Sequence, residues 1–235
     1  SNRHMLVTRL DWLHFGFGTM ALGRENLAQA IGAKMAVSFR GFDYYVYPMK
    51  HAHCYAKLFS KDVRYHVLSD SMKNGLVQQG VPEVTIFKIT PAIATDQFTA
   101  ATDLLFSREL KMVTVARLHW IKGLEYTLEA LALLQQQGIV FQYTIIGDGP
   151  EKERLLFAAH QLGLANQVTF AGKLAPSEVK KVLERSDLYV QYSIQEGFCN
   201  AVLEAQAMGK LCIVSDAEGL AENVVDGWTG FVVLK

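Results

Sequence analysis

The sequence predicts an α/β fold in two units, each built on a parallel sheet. Three observations carry that expectation. From Lys111 onward, short apolar runs alternate with stretches whose apolar residues recur three and four apart, the βαβα order that places a parallel sheet between layers of helix. Before Lys111 the same alternation runs less regularly. A chain of 235 residues, 50% hydrophobic and 20% charged, is also long enough to bury two modest cores.

In the first half, strands are expected over residues 10–15, 34–39, 64–68 and 84–89, with helices near 24–30, 51–59 and 71–79. The run Gly16-Phe-Gly-Thr-Met-Ala21 fits the dinucleotide fingerprint GxGxxA. Asp11, Trp12 and His14 make a poor buried parallel strand before it, and Asp43 comes late for the acid that the fingerprint requires. A glycine turn is the simpler reading, and a dinucleotide oxidoreductase rests on this run alone. His51 and His53, two apart, point to different sides of a helix and read as surface residues. Residues 90–108 hold one proline, small residues and little periodicity, and read as a linker. The expected domains are therefore 1–100, with the linker running to about 108, and 109–235.

In the second half, strands are expected at 112–116, 141–146, 168–171, 187–192 and 211–214, and helices at 122–137, 150–162, 176–185 and 198–208. Leu124, Leu128, Leu131 and Leu134 mark the buried stripe of the first of these helices.

Bulk properties exclude several classes. Lys and Arg equal Asp and Glu at 23 each, so the formal net charge is zero and no nucleic-acid partner is expected from overall charge. No apolar run approaches the roughly 18 residues of a membrane span, and the first residues, Ser-Asn-Arg-His-Met-Leu, lack the apolar core of a signal peptide. A cytoplasmic setting is the expectation. Cys54, Cys199 and Cys212 form no CxxC pair, so reduced thiols are expected and neither a disulfide framework nor a zinc knuckle is.

The stretch with the most chemistry is Glu196-Gly-Phe-Cys-Asn-Ala-Val-Leu-Glu204. Glu196 falls in a strand-to-helix turn and Glu204 about two helical turns on, which puts the carboxylates roughly 12 Å apart. Between them lies a helix start whose first N–H groups, around Gly197 to Ala201, lack intrahelical partners and suit a phosphate. Carboxylates accept from vicinal hydroxyls, so hydroxyl groups at both ends with an anion between them describe a nucleotide sugar. Arg117, Gly147, Gly172, Ser193 with Glu196, and Ser215 with Glu218 each follow the end of an expected strand. All therefore lie at the carboxyl edge of one sheet, where open α/β sheets bind ligands. Arg117 and Lys122 flank the first helix start there, two fixed cations suited to a diphosphate leaving group.

Several linked segments resemble the nucleotide-binding domain of the retaining glycosyltransferases with the GT-B fold, group 1 type (family 4). They are Val115-Ala-Arg-Leu118 with Lys122-Gly123, Ile146-Gly-Asp-Gly-Pro150, Val168-Thr-Phe-Ala-Gly172, Ser193, the stretch from Glu196 to Gly209, Glu218-Gly219 with Glu222, and Asp226-Gly-Trp-Thr-Gly230. The resemblance implies two Rossmann-like doubly wound domains, the first of them incomplete. It implies transfer of a hexose from a nucleotide diphosphate sugar to a glycan or lipid-linked acceptor, with retention of configuration and usually without metal; no Asp-x-Asp pair is present. Arg117 and Lys122 would hold the diphosphate. Glu196 would face sugar hydroxyls, the backbone of Gly197, Phe198, Cys199 and Asn200 would meet sugar and phosphate, Glu204 would bind the ribose, and Lys173 and Leu174 would lie by the base.

The resemblance places the catalytic cleft between the domains. Where many relatives carry a cleft histidine before glycine, this chain has Arg40, which stays charged and accepts no hydrogen bond; His14 is the other cleft candidate. Relatives begin with further strands and continue past Lys235 into a last helix, so a truncated chain is expected. Peripheral membrane association is possible through the region not included. The alternative to an active transferase is a noncatalytic fragment or pseudoenzyme that binds nucleotide sugars.

Overall fold

The computed structural model describes residues 9–100 and 109–235. These divide into two units, one ending at Pro91 and one starting at Ala92.

The first unit runs β1 (Trp12–Phe15), α1 (Gly18–Ala21), α2 (Leu27–Ala30), β2 (Lys34–Ser38), a π turn (Phe42–Val46), α3 (Tyr47–Lys50), α4 (Ala56–Phe59), β3 (Val63–Val67), α5 (Asp70–Gln78) and β4 (Ile86–Lys88). The strands are parallel in the order β1-β2-β3-β4. With right-handed crossovers, that order puts every helix on the same face. Leu13, Phe15, Met35, Val37, Tyr65 and Val67 are buried on it, whereas Trp12 and Phe87 on the other face are about half exposed. This is one half of a doubly wound pattern, and it explains β1. Trp12 and His14, which look unfit for a buried strand, point to the side that none of the described helices covers, and Leu13 and Phe15 carry the packing. The helix expected from residue 51 starts only at Ala56, because His53 takes φ 56° in a turn.

Gly18 sits against the Phe39 ring, which a Cβ would meet at 2.3 Å. Its N–H and that of Arg40 both donate to the buried Asp43 carboxylate, at 2.5 and 2.7 Å. Burial raises the Asp43 pKa, against those two donors. Asp43 thereby ties the loop after β1 to the loop after β2. Asp43→Asn keeps one acceptor oxygen but turns an NH2 toward the second N–H, so thermal unfolding should show a loss of about 1–3 kcal/mol.

The second unit runs β5 (Leu110–Val115), a 3-10 turn (Trp120–Lys122), α6 (Leu124–Gln136), β6 (Phe141–Ile146), α7 (Lys152–Gln161), β7 (Val168–Gly172), α8 (Pro176–Glu184), β8 (Leu188–Gln191), α9 (Asn200–Ala207), β9 (Leu211–Ser215), α10 (Glu218–Ala221) and β10 (Gly230–Val233). All neighbours pair parallel, in the order β10-β9-β8-β5-β6-β7. The winding reverses between β5 and β8, so the helices cover both faces. One core gathers Met112, Leu124, Leu128, Leu131, Tyr143 and Leu155. The other gathers Val113, Ile146, Tyr189, Val202, Val214 and Leu220. Met112 and Val113, adjacent in β5, point to opposite cores, as strand geometry requires.

Two local departures matter. The helix expected from Lys122 begins two residues later, at Leu124, because Gly123 takes φ +57° and a Cβ there would lie 2.0 Å from the Tyr192 carbonyl oxygen. Residues 230–233, not read as a strand, form the edge strand β10; Gly230 lies so close to the Cys212 carbonyl oxygen, 2.3 Å from a built Cβ, that only glycine fits without a shift.

Candidate functional site at the sheet switch point

The reversal of winding opens a crevice beyond the carboxyl ends of β5 and β8, where the chain turns sharply on both sides. Glycines make that approach possible. Gly147 takes φ +141°, and a Cβ on it would sit 1.9 Å from the Ala116 carbonyl oxygen; at Gly149 the distance to the Leu118 carbonyl oxygen would be 2.2 Å. The loops after β5 and β6 are therefore packed backbone on backbone, with Leu118 N–H donating to the Asp148 carbonyl at 3.0 Å. Val115, Ala116, Arg117, Gly147, Lys173 and Leu174 line a groove of about 750 Å³ there.

On the β8 side, Ile194 N–H donates to the Ile121 carbonyl at 2.8 Å. This bond joins the loop carrying Glu196 to the turn carrying Lys122. The Lys122 ammonium then meets the Glu196 carboxylate directly, with side chains only 17% and 12% exposed. Arg117 and Lys122 are the two cations expected to meet one diphosphate; in the structure the Lys122 ammonium is seated on the carboxylate expected to face the sugar. Lys122 keeps two further N–H donors, so it can still meet an anion while holding Glu196. The Arg117 side chain is exposed and makes no ion pair among the described residues.

Glu196 has a second, neutral partner. Ser193 Oγ donates to the same carboxylate oxygen, Oε2, at 3.4 Å. Behind Ser193, Gln191 Nε2 donates to Ser193 Oγ at 2.9 Å, and Tyr189 OH donates to Gln191 Oε1 at 3.0 Å. Ser215 Oγ donates to the Ser193 carbonyl at 2.6 Å.

The helix start follows. Asn223 clamps the Cys199 backbone in both directions, accepting from its N–H at 3.1 Å and donating to its carbonyl at 3.2 Å. The clamp fixes the residue from which α9 departs, and the side chain of its N-cap, Cys199, makes no capping hydrogen bond. The first-turn N–H groups are thus left for an anion. Burial pushes the Cys199 thiol up to about 11, so it is a neutral packing group and its contribution is its backbone. Gly197 is buried, Phe198 is half-buried and Asn200 is exposed.

Glu204, in α9, is half-buried and its carboxylate has no partner among the described residues. Burial raises its pKa. Glu218, by contrast, is occupied by Lys235 and Gln195 at 3.2 and 3.4 Å.

Arg40 and His14 belong to the first unit. His14 Nε2 lies 2.8 Å from Ser38 Oγ, itself 2.9 Å from His66 Nδ1. The Arg40 guanidinium has no ion pair among the described residues. No described contact joins Arg40 to His14.

Sequence reasoning missed Asn223, Gln191 and Tyr189. Asn223 is 24 residues from the backbone it holds, and no local spacing reports such a clamp. Gln191 and Tyr189 alternate on β8 and read as ordinary strand residues.

This is a doubly wound α/β domain with paired charge, a free half-buried carboxylate and an uncapped helix start at one edge. Residues 97–235 match the family model for glycosyl transferases, group 1, and the chain belongs to that family. It is 26% identical over 239 residues to the amylovoran biosynthesis glycosyltransferase AmsK of Erwinia amylovora, covering 97% of this chain and 59% of AmsK. The putative colanic acid biosynthesis glycosyltransferase WcaL of Salmonella typhimurium is 28% identical over 228 residues, covering 94% of this chain and 56% of WcaL. The chain thus spans less than two thirds of these relatives. Among solved structures, Anabaena Alr3699/HepE in complex with UDP and glucose superposes with a TM-score of 0.80 at 18% identity, covering 95% of this chain and 64% of the other. The lipopolysaccharide outer core galactosyltransferase WaaB, in its apo form, gives 0.76 at 18% identity, covering 99% and 64%. At this identity the likeness establishes the GT-B fold. No helix among the described residues is long and apolar enough to cross a membrane.

Proposed function

We propose that the second unit binds the donor of a retaining hexosyltransferase, a nucleotide diphosphate sugar, and that the protein of which this chain is all or part moves the hexose to a glycan or lipid-linked acceptor. The observation that carries the reading is the convergence, on one sheet edge, of Arg117, the Lys122–Glu196 pair, the uncapped start of α9 and the unpartnered Glu204. The diphosphate lies over the helix start and between the cations. Glu196 accepts from sugar hydroxyls, Glu204 accepts from the ribose, and the base enters the groove beside Lys173 and Leu174.

In transfer, the bond from the sugar C1 to the phosphate oxygen breaks as the bond from C1 to the acceptor oxygen forms. The phosphate oxygen keeps the electron pair, and the acceptor's hydroxyl proton passes to the departing diphosphate. Negative charge on the diphosphate grows as the bond breaks, so Arg117 and Lys122 bind the transition state more strongly than the ground state. The amylovoran, colanic acid and lipopolysaccharide relatives support a glycan or lipid-linked acceptor.

The test uses methanol as a minimal acceptor with α-linked UDP-glucose, GDP-mannose or ADP-glucose, followed by NMR of the methyl glycoside. An α-glycoside is expected. A β-glycoside would overturn retention, and binding without turnover in a chain extended to the relatives' length would favour the noncatalytic alternative.

The raised pKa of Glu204 adds a pH prediction. Ribose hydroxyls donate to the ionised carboxylate, so bound ligand lowers that pKa and affinity is lost as pH falls through the free-protein value. Affinity for a nucleotide sugar, whose phosphates do not titrate between pH 5 and 8, should fall from pH 7.5 to 5. Glu204→Gln should bind more weakly at pH 7.5 and lose that slope. An unchanged slope would place the titration elsewhere.

A further inference from the structure

Ser193, Gln191 and Tyr189 form a chain leading away from Glu196 into the core, and none of the ligand roles above uses them. Tyr189, Gln191 and Ser193 are all buried, at 0%, 1% and 0% exposed. A tyrosine OH has one proton, and here it faces two acceptors, Gln191 Oε1 at 3.0 Å and the Val115 carbonyl at 3.3 Å. With that proton given to the nearer acceptor, Gln191 Oε1, the amide turns its NH2 to Ser193. Ser193 Oγ, already accepting from that NH2, has its single proton left for Glu196 Oε2. With the amide flipped, Gln191 would accept from Ser193 instead, and Glu196 would lose that donor.

We propose that Tyr189, Gln191 and Ser193 are positioning residues that fix which oxygen Glu196 offers: Oε2 is held by Lys122 and Ser193, and Oε1 is left to the ligand. The inference rests on the donor reading above and deepens it. A carboxylate oxygen only accepts, so this arrangement selects a sugar with a hydroxyl that donates at that point and rejects one with fluorine or hydrogen there. The selection is set from Tyr189, three hydrogen bonds behind the carboxylate, in a position that touches no ligand.

The test compares the wild-type protein with Tyr189→Phe, Ser193→Ala and the double variant. Each is titrated with UDP, GDP and ADP and with UDP-glucose, GDP-mannose and ADP-glucose. Loss of one neutral hydrogen bond predicts that each single variant binds the sugar-bearing donor about 3- to 10-fold more weakly. The bare diphosphate should bind as to the wild type. Because the residues act in series, the double variant should be no weaker than Ser193→Ala alone. A Ser193→Thr variant, which retains the hydroxyl, should recover most of the loss.

Equal losses for diphosphate and donor, or losses that multiply in the double variant, would mean a general packing role and overturn the inference. So would donor affinities unchanged in both single variants. A wild-type protein that binds no nucleotide would overturn the donor reading and this inference with it, whereas wild-type binding with insensitive variants overturns this inference alone.

Discussion

Glu196→Ala should bind a bare nucleoside diphosphate as the wild type does and bind the sugar-bearing donor about 10- to 100-fold more weakly, the range for loss of a hydrogen bond to a charged group. The substitution removes the acceptor for sugar hydroxyls and frees Lys122, which is 17% exposed, to turn to the diphosphate. Glu204→Ala should do the reverse in kind, weakening the diphosphate and the donor alike because both contain the ribose. Titration of both variants with both ligands separates the roles. Equal losses for the two ligands in both variants would contradict the division of labour between these carboxylates. Lys122→Ala carries a cost of its own, because it leaves Glu196, 12% exposed, with Ser193 as its remaining partner.

The second large effect concerns stability. Gly147→Ala places a Cβ 1.9 Å from the Ala116 carbonyl oxygen and puts a side chain at φ +141°. The atom it meets belongs to the backbone of the adjoining strand end, so relief requires β5 and β6 to separate at their carboxyl ends. Backbone strain of about 1–3 kcal/mol and a further 1–3 kcal/mol for overpacking should lower the urea midpoint of the second unit substantially and remove nucleotide binding. A midpoint within error of the wild type would mean that the loops are not packed as described.

The second sheet was legible in the sequence because its signals agree at every level. Leu124, Leu128 and Leu131 of the expected stripe are buried and Leu134 is partly buried against the same core, and the residues following each expected strand do stand at one edge. The strand order could not be read, since apolar runs of β5 and β8 look alike whether or not they are neighbours. Only the reversal between them creates the crevice.

The Lys122–Glu196 pair was invisible for a related reason. It spans 74 residues and depends on the Ile121–Ile194 backbone bond, to which side-chain pattern contributes nothing. In the first unit, the rule for a sheet buried on both faces misjudges β1, because the described helices cover a single face of that sheet. Asp43 was weighed only as a late fingerprint acid, yet it joins two loops through backbone N–H groups. Backbone donors leave no mark in a residue string.

The account stands most directly on nucleotide binding by the second unit. Calorimetric titration of the chain with UDP, GDP and ADP should give saturable binding of one of them, abolished or strongly weakened by Glu204→Ala and retained by Glu196→Ala. Absence of binding to all three by a chain whose circular dichroism and cooperative unfolding report the intact fold would contradict it.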